Sequence, residues 1–204
     1  AELLARLAHL SSDVLGDRDA AIGALELIAS RSSVKKFAEQ APSRARIETL
    51  LAAATRAPDH GRLAPWRFTV LQGPARDILS KAMQAAFVER NPTADAEAVE
   101  REGSKAFRSP VLIVVSAVTQ EHPKVPEVEQ LVAVGAAIQN LWTAAQALGL
   151  GCAWKTGSHA YSDHVLQALG FAANEKIIGF VHVGVPVTLA PVRPAEYADK
   201  TRWL

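Results

Sequence analysis

The sequence is poor in several features that define whole classes of protein. Cysteine occurs once, at Cys152, so no internal disulfide can form. Lysine and arginine number 22 against 21 aspartates and glutamates, and a net charge of +1 gives no general attraction for nucleic acid or an anionic membrane. No apolar run reaches the roughly 20 residues of a membrane helix. We therefore expect a protein that binds neither nucleic acid nor membrane, in which any anion site is local.

The start of the chain also lacks the basic, apolar and small-residue segments of a secretory signal. Together with the single cysteine, this favours a reducing cytoplasm. The 204 residues are enough for one substantial core. We expect an N-terminal extension over residues 1–20 and a single domain over 21–204. Prolines between 186 and 194 predict that this domain ends in an extended tail.

Hydrophobic periodicity predicts a series of helices and strands. The first firm helix should have Asp19 as its N-cap and bury Ile22, Leu25 and Ile28. Further helices are predicted from Ser43, as N-cap, to Pro58, over about 75–89, over about 94–106, over 127–148 and near 163–169. Strands are predicted over 66–71, 111–118, 152–154 and 176–183.

Two of these segments are unusually apolar. The unbroken run from Val111 to Val118 is typical of a strand that is covered on both faces, which requires helices on both sides of the sheet. The helix from Glu127 to Leu148 is apolar around much of its circumference. It should lie centrally in the fold and is too apolar to face water, which favours a role in subunit contact.

Arg31-Ser32-Ser33, at the end of the first helix, suits a phosphate group. A guanidinium can bind two phosphate oxygens while the short hydroxyl side chains bind others, and Lys35 and Lys36 add positive charge nearby. The same residues have a purely structural interpretation, because arginine complements the dipole of a helix end and serines often form turns.

Five segments together resemble the nitroreductase superfamily. They are the helix and turn over 24–37, the loop over 56–68 with Ala57-Pro58-Asp59-His60, the central helix over 135–141, the loop over 149–157, and the turn over 184–186. The resemblance runs from about residue 21 to 186 and is closest to a small, compact branch of NAD(P)H nitroreductases. It implies an α+β fold, with a mixed sheet of four or five strands between helices, in an intertwined homodimer whose tails embrace the partner.

The same resemblance implies FMN as cofactor and assigns residues to it. Arg31 and Ser33 would share the phosphate and ribityl chain, and Ser32 would contribute its main chain. Lys155 would be a second cation near the phosphate. A basic residue of the tail, either Arg193 or Arg202, is a further candidate for it.

The remaining contacts would come from two loops. Trp154, Thr156 and Gly157 would lie along the flavin ring or ribityl. His60 would approach from the opposite side, where relatives often contribute across a dimer interface, and is a possible proton donor to the reduced acceptor. Ala64 stands where relatives often have glutamine, so a contact there would use its backbone.

The implied activity is an FMN-dependent NAD(P)H oxidoreductase. NADH or NADPH would reduce the flavin, which would then pass electrons to a nitroaromatic, a quinone or a similar electron-poor acceptor in a ping-pong cycle. One alternative is a different redox reaction at the same flavin site, namely enone reduction, dehalogenation or flavin breakdown. Two further alternatives are a non-catalytic FMN-binding protein and a helical interaction protein without a cofactor.

Other chemistries find less support in the sequence. The histidines lack metal-ligand spacing, so we predict no metal. Gly149 and Gly151 follow a helix and lack the third glycine of a dinucleotide fingerprint. Cys152 lies in a predicted buried strand without an adjacent base, which predicts an inert thiol.

Overall fold

The structure, a computed structural model, describes residues 18–189, 191, 192, 194 and 196–204. These divide into two compact units. One spans Ser33–Thr188, and the other combines the described residues up to Ser32 with those from Leu189 onward. Most of the predicted N-terminal extension, and Arg193, lie outside the described residues.

Within the described residues, six helices and four strands follow one another in nearly the predicted order. The helices are α1 (Arg18–Ala29), α2 (Arg44–Ala54), α3 (Ala75–Arg90), α4 (Ala96–Ser104), α5 (Glu127–Ala147) and α6 (Asp163–Ala168). The strands are β1 (Trp66–Gln72), β2 (Val111–Val118), β3 (Gly151–Lys155) and β4 (Glu175–Gly184). Short 3-10 turns lie at His60–Arg62, Lys105–Phe107, Ser158–Tyr161 and Ala198–Lys200.

The four strands form one sheet in the order β1, β2, β4, β3. Each neighbouring pair is antiparallel. The α+β class and the number of strands are thus as expected, whereas the strand directions within the described residues are antiparallel rather than mixed. Strand β2 begins at the end of the sheet where β1 finishes, and β4 begins where β3 finishes. Helix α5 instead carries the chain from the end of β2 back to the opposite end of the sheet, where β3 begins, and β4 lies between β2 and β3 and runs antiparallel to both.

Strand β2 forms the centre of the molecule. Every one of its residues except Val118 is buried. Val111, Ile113 and Val115 pack into a core with α2 and α5, while Leu112 and Val114 pack into a second core with α3 and α6. This alternation confirms that helices cover both faces of the sheet.

Helix α2 begins as predicted, because the Ser43 side chain accepts a hydrogen bond from the Arg46 N–H. The prediction for α1 was wrong in two respects. Asp19 lies inside the helix rather than before it, and Ile28 is 60% exposed. Ile28 lies six residues after Ile22, which places its side chain about 240° around the helix axis from that of Ile22. The two side chains therefore point to different faces of the helix.

Helix α5 is buried on one side only. Val134, Ile138 and Leu141 are fully buried, but Val128 and Val132 are 62% and 66% exposed. The expected central helix therefore supplies the core and also presents an uncovered apolar face. In the described part of the chain, no helix combines the length and the apolar character needed to cross a bilayer.

Candidate functional site

The end of β3 and the loop that follows it carry four of the predicted site residues, of which Trp154 comes first. The Trp154 indole donates a hydrogen bond from Nε1 to the Ile178 carbonyl at 3.1 Å. Its ring lies directly over Gly179, where a Cβ would come within 2.0 Å of Nε1. Because side chains alternate along a strand, Trp154 and Lys155 project from opposite faces of the sheet. The chain then turns at Gly157, whose φ of +98° favours glycine.

The segment after Ser33 is fastened along the free edge of β3. The Val34 N–H donates to the Cys152 carbonyl at 3.0 Å, and Phe37 pairs with Pro186. Close approach is possible because a Cβ on Gly151 would lie 2.3 Å from the Val34 side chain. This contact places the hydroxyl of Ser33 beside the residues of β3.

A pocket of about 260 Å³ results, and it brings together residues from four parts of the chain. It is lined by Ser33, Val34, Lys35, Phe37, Arg108, Ala153, Lys155 and His182. A hydroxyl and three cationic side chains thus meet around one cavity, with no acidic residue in its lining. Ser33 and Lys155, both predicted to bind the cofactor, share this cavity.

A second pocket, of about 400 Å³, shares Arg108, Lys155 and His182 with the first. Its other lining residues are Met83, Lys105, Thr156, Gly157, Ser158, His159 and Phe180. The predicted Thr156 and Gly157 therefore line a cavity that is also cationic. The two pockets meet along the side chains that they share.

His182 is a buried member of both pockets, and its tautomer follows from its partner. Ser109 donates its hydroxyl to the Val111 carbonyl at 2.6 Å, so its oxygen accepts from His182 Nδ1 at 2.9 Å. This leaves the lone pair on Nε2. Burial, and then the charges of Arg108 and Lys155, lower the pKa of His182 to about 4. The neutral imidazole is thus the stable form at neutral pH.

His159 is buried and shares a carboxylate of α4 with Lys105. Its Nε2 donates to Glu102 at 2.7 Å, and Lys105 donates to the same carboxylate at 2.5 and 2.6 Å. Burial would raise the pKa of Glu102, but its hydrogen bonds with Lys105 and His159 lower it overall. Burial also lowers the pKa of His159, whose Nδ1 makes no hydrogen bond with any residue that the structure describes. Protonation there would bury an unpaired donor.

The loop over 58–65 forms a separate site on the α5 side. His60 donates from Nδ1 to Glu129 at 2.6 Å, which leaves Nε2 available. The Ala64 N–H donates to Asp59 at 2.7 Å, and its carbonyl accepts from Arg67 at 3.0 Å. The nearby pocket is lined by Thr55, Arg56, Ala57, Asp59, Arg62, Ala64 and Trp66. None of these lining residues belongs to the loop over 154–157.

Comparison with known proteins identifies the family. A model described as "Nitroreductase family" matches residues 28–185. The chain belongs to the nitroreductase family. It is 35% identical over 163 residues to "Putative NAD(P)H nitroreductase YdjA" of Escherichia coli K12, covering 80% of this chain and 88% of that protein.

Solved structures agree with this nitroreductase assignment. A nitroreductase-like family protein from Bacillus cereus is 26% identical, with a TM-score of 0.79 over 89% of this chain and 95% of the other. "A putative nitroreductase in complex with FMN" from Desulfovibrio desulfuricans is 25% identical, with a TM-score of 0.71 over 87% and 94% of the two chains.

The structure groups the predicted nitroreductase site residues into two sets. Ser33, Lys155, Thr156 and Gly157 line the two cationic pockets, whereas His60 and Ala64 lie in the loop beside α5. Arg31, Ser32 and Arg202 belong to the flanking unit, and their part in the site stays a prediction from the sequence. Cys152 is buried, and burial raises the pKa of its thiol to about 12, which agrees with the expected inert cysteine.

Of the three residues that line both pockets of this nitroreductase, Arg108 and His182 were not predicted. Arg108 stands just before β2, and His182 lies inside the apolar run of β4. A polar side chain within a buried strand is a signal in itself, because burial of a polar group requires a partner. For Arg108 the sequence held no such signal, since arginine before a strand is ordinary.

Proposed function

We propose that this protein is an FMN-dependent NAD(P)H oxidoreductase that reduces nitroaromatics, quinones or similar electron-poor acceptors. The observation that carries the proposal is that Ser33 and Lys155, chosen from the sequence as phosphate ligands, line one pocket although they are distant in the chain. The proposal also draws on the NAD(P)H named for the Escherichia coli relative and the FMN named for the Desulfovibrio structure.

The donors present fit FMN. A phosphate dianion needs several positive or neutral donors and no adjacent carboxylate, which describes the pocket of Ser33, Lys35 and Lys155. Arg31 would complete this set. The neighbouring Thr156 and Gly157 offer a hydroxyl and a backbone without a side chain, where a flat ring can lie close to the main chain.

Bound FMN would supply the redox chemistry, taking hydride from NADH or NADPH and giving electrons to the acceptor in a ping-pong cycle. The protein side chains position the reactants. Trp154, fixed by its hydrogen bond to Ile178, provides a rigid wall at the loop. His60, oriented by Glu129, has Nε2 available to hold and donate a proton to the reduced acceptor.

We further propose a homodimer, located in the cytoplasm, in which one subunit's loop over 58–65 completes the other's site. The exposed Val128 and Val132 lie on the same helix as Glu129, which holds His60. Burial of this apolar face against a partner would therefore bring His60 to a subunit interface. Within one chain, the pocket beside Ala64 and the pocket beside Lys155 share no lining residue.

The decisive measurement is the visible absorbance of the purified protein before and after anaerobic addition of NADH and of NADPH. We expect a yellow flavin spectrum that bleaches with at least one donor and returns when nitroaromatic or quinone is added. A yellow spectrum that no donor bleaches would replace the oxidoreductase by a protein that only binds FMN. A colourless protein that does not take up added FMN would refute the proposal.

A further inference from the structure

The larger of the two cationic pockets has a composition that the flavin loop alone does not explain. Its floor is apolar and buried, formed by Met83 and Phe180, which are 4% and 2% exposed. Lys105, Arg108 and Lys155 stand around it. An apolar floor beneath several cations suits a ligand that has both a flat or apolar part and an anionic group.

The cations of this pocket differ in how they are balanced. Lys105 is paired with Glu102. Over the described ranges, neither Arg108 nor Lys155 has an ion pair, although both lie near enough to His182 for their charges to act on it. Two unbalanced positive charges beside a buried imidazole repel one another, and an anion between them would remove that cost.

His182 adds a fixed polar group at the base of the same cavity. Its Nδ1–H is held by Ser109, so Nε2 is the atom left for a ligand. Without a ligand, burial and the two cations keep it neutral. A bound anion would reverse the electrostatic balance and favour a proton on Nε2, which would then donate to the anion. Lys105 and His159, which also line the cavity, and Glu102 behind them face this centre as well.

We infer that the pocket bounded by Arg108, Lys155 and His182 is an anion site that takes a phosphate or carboxylate group, with the apolar part of the same ligand resting on Met83 and Phe180. Only the identity of the ligand rests on the proposed function. Thr156 and Gly157 line the same cavity, and the flavin phosphate is already assigned to the pocket of Ser33 and Lys35, so the anion belongs to a second substrate that approaches the flavin loop.

The first test uses inorganic phosphate and needs neither flavin nor turnover. Binding to the flavin-free protein is followed through the imidazole proton resonances as phosphate is added. Arg108 is exposed, so Arg108→Gln should fold. We expect the Kd of Arg108→Gln for phosphate to be about tenfold or more above that of the wild type, because one charge-assisted hydrogen bond is lost. The Kd of Lys81→Gln should equal that of the wild type.

Lys81→Gln is the matched control, since it removes one exposed positive charge from α3 outside the pocket lining. The wild type should also show the His182 resonance titrating at higher pH with phosphate than without it, and His182→Gln identifies that resonance. Equal binding by Arg108→Gln and the wild type, or a His182 resonance that phosphate does not move, would overturn the anion site.

A second experiment separates the two sources of the anion. If the site instead belongs to the flavin phosphate, Arg108→Gln raises the Kd of FMN about tenfold while the Kd of riboflavin stays unchanged, and the assignment to a second substrate is overturned. If a second substrate supplies the anion, FMN binding is unchanged, and the variant loses its preference for NADPH over NADH or for 4-nitrobenzoate over nitrobenzene. No change in any of these ratios contradicts the assignment to a ligand of the enzyme. A failure to bleach flavin, by contrast, concerns only the proposed function.

Discussion

At the scale of single residues, the site depends on the close packing of the Trp154 ring against Gly179. Trp154 rests on Gly179 and is fixed by a hydrogen bond to the carbonyl of the preceding residue, Ile178. A methyl group at residue 179 would overlap the indole, and the neighbouring Phe180 is buried on the other face. The Trp154 side chain therefore has one position, which is available because Gly179 on the neighbouring strand has no Cβ.

We predict that Gly179→Ala displaces Trp154, lowers the free energy of unfolding by about 1–3 kcal/mol and weakens FMN binding. Urea unfolding and a flavin titration measure both effects. Gly23→Ala is the control, because it adds the same methyl group in helix α1 where no atom lies within 4 Å. Wild-type stability and FMN affinity in Gly179→Ala would show that Trp154 is not confined as described.

Arg31 provides a second prediction at this scale. If its guanidinium binds the FMN phosphate, Arg31→Ala should weaken FMN binding by about 1.5–3 kcal/mol, the value of one charge-assisted hydrogen bond. Riboflavin, which lacks the phosphate, should bind the variant and the wild type equally. Arg44→Ala, which removes an exposed arginine paired with Glu48, serves as control. An unchanged Kd for FMN would remove Arg31 from the site.

At the scale of elements, helix α5 has two faces with different tasks. One packs on the sheet through Val134, Ile138 and Leu141. The other presents Val128 and Val132 to the surface. Large contiguous apolar patches on soluble proteins mark interaction sites, and two exposed valines one helical turn apart are a candidate for part of such a patch. The position of His60 beside this face connects subunit contact with the proposed site.

The corresponding prediction concerns Val132→Asp. In a monomer, a charge at a position 66% exposed should change the free energy of unfolding by no more than about 0.5 kcal/mol. At a dimer interface it should yield single chains and weaken FMN binding. Light scattering after gel filtration measures the mass. Val88→Asp, at an exposed position of α3, should remain a dimer. A Val132→Asp variant that stays dimeric would place the interface elsewhere.

The elements also show which parts of the fold the sequence was able to specify. Strand β2 and helix α5 were predicted almost to the residue, because their apolar patterns are local and strong. The cationic pockets were not. Arg108 and His182 meet only because the start of β2 pairs with the end of β4, where Leu112 stands opposite His182. Register between distant strands is a long-range property, and no window of sequence contains it.

At the scale of the whole molecule, two buried histidines make stability depend on pH. Burial is the main cause that lowers the pKa of His159, and the pKa of His182 falls to about 4 from an ordinary value of 6.5. Below pH 6.5 the unfolded chain therefore binds protons at these residues that the folded protein does not bind. By linkage, the contribution of these neutral histidines to the free energy of unfolding is complete above that pH and is lost as the pH falls.

We expect the free energy of unfolding of the wild type to fall by about 2–3 kcal/mol between pH 7 and pH 4.5 because of His182 alone, since one pKa unit corresponds to about 1.4 kcal/mol. Urea unfolding across this range in phosphate-free buffer measures it. His182→Gln keeps an amide that Ser109 can bind and cannot be protonated, so its stability should depend less steeply on pH. His164→Gln, whose side chain is 43% exposed, should follow the wild type. Parallel curves for His182→Gln and the wild type would mean that the pKa of His182 does not change on folding, and the electrostatic argument for the anion pocket would then lose its basis in burial and in the charges of Arg108 and Lys155.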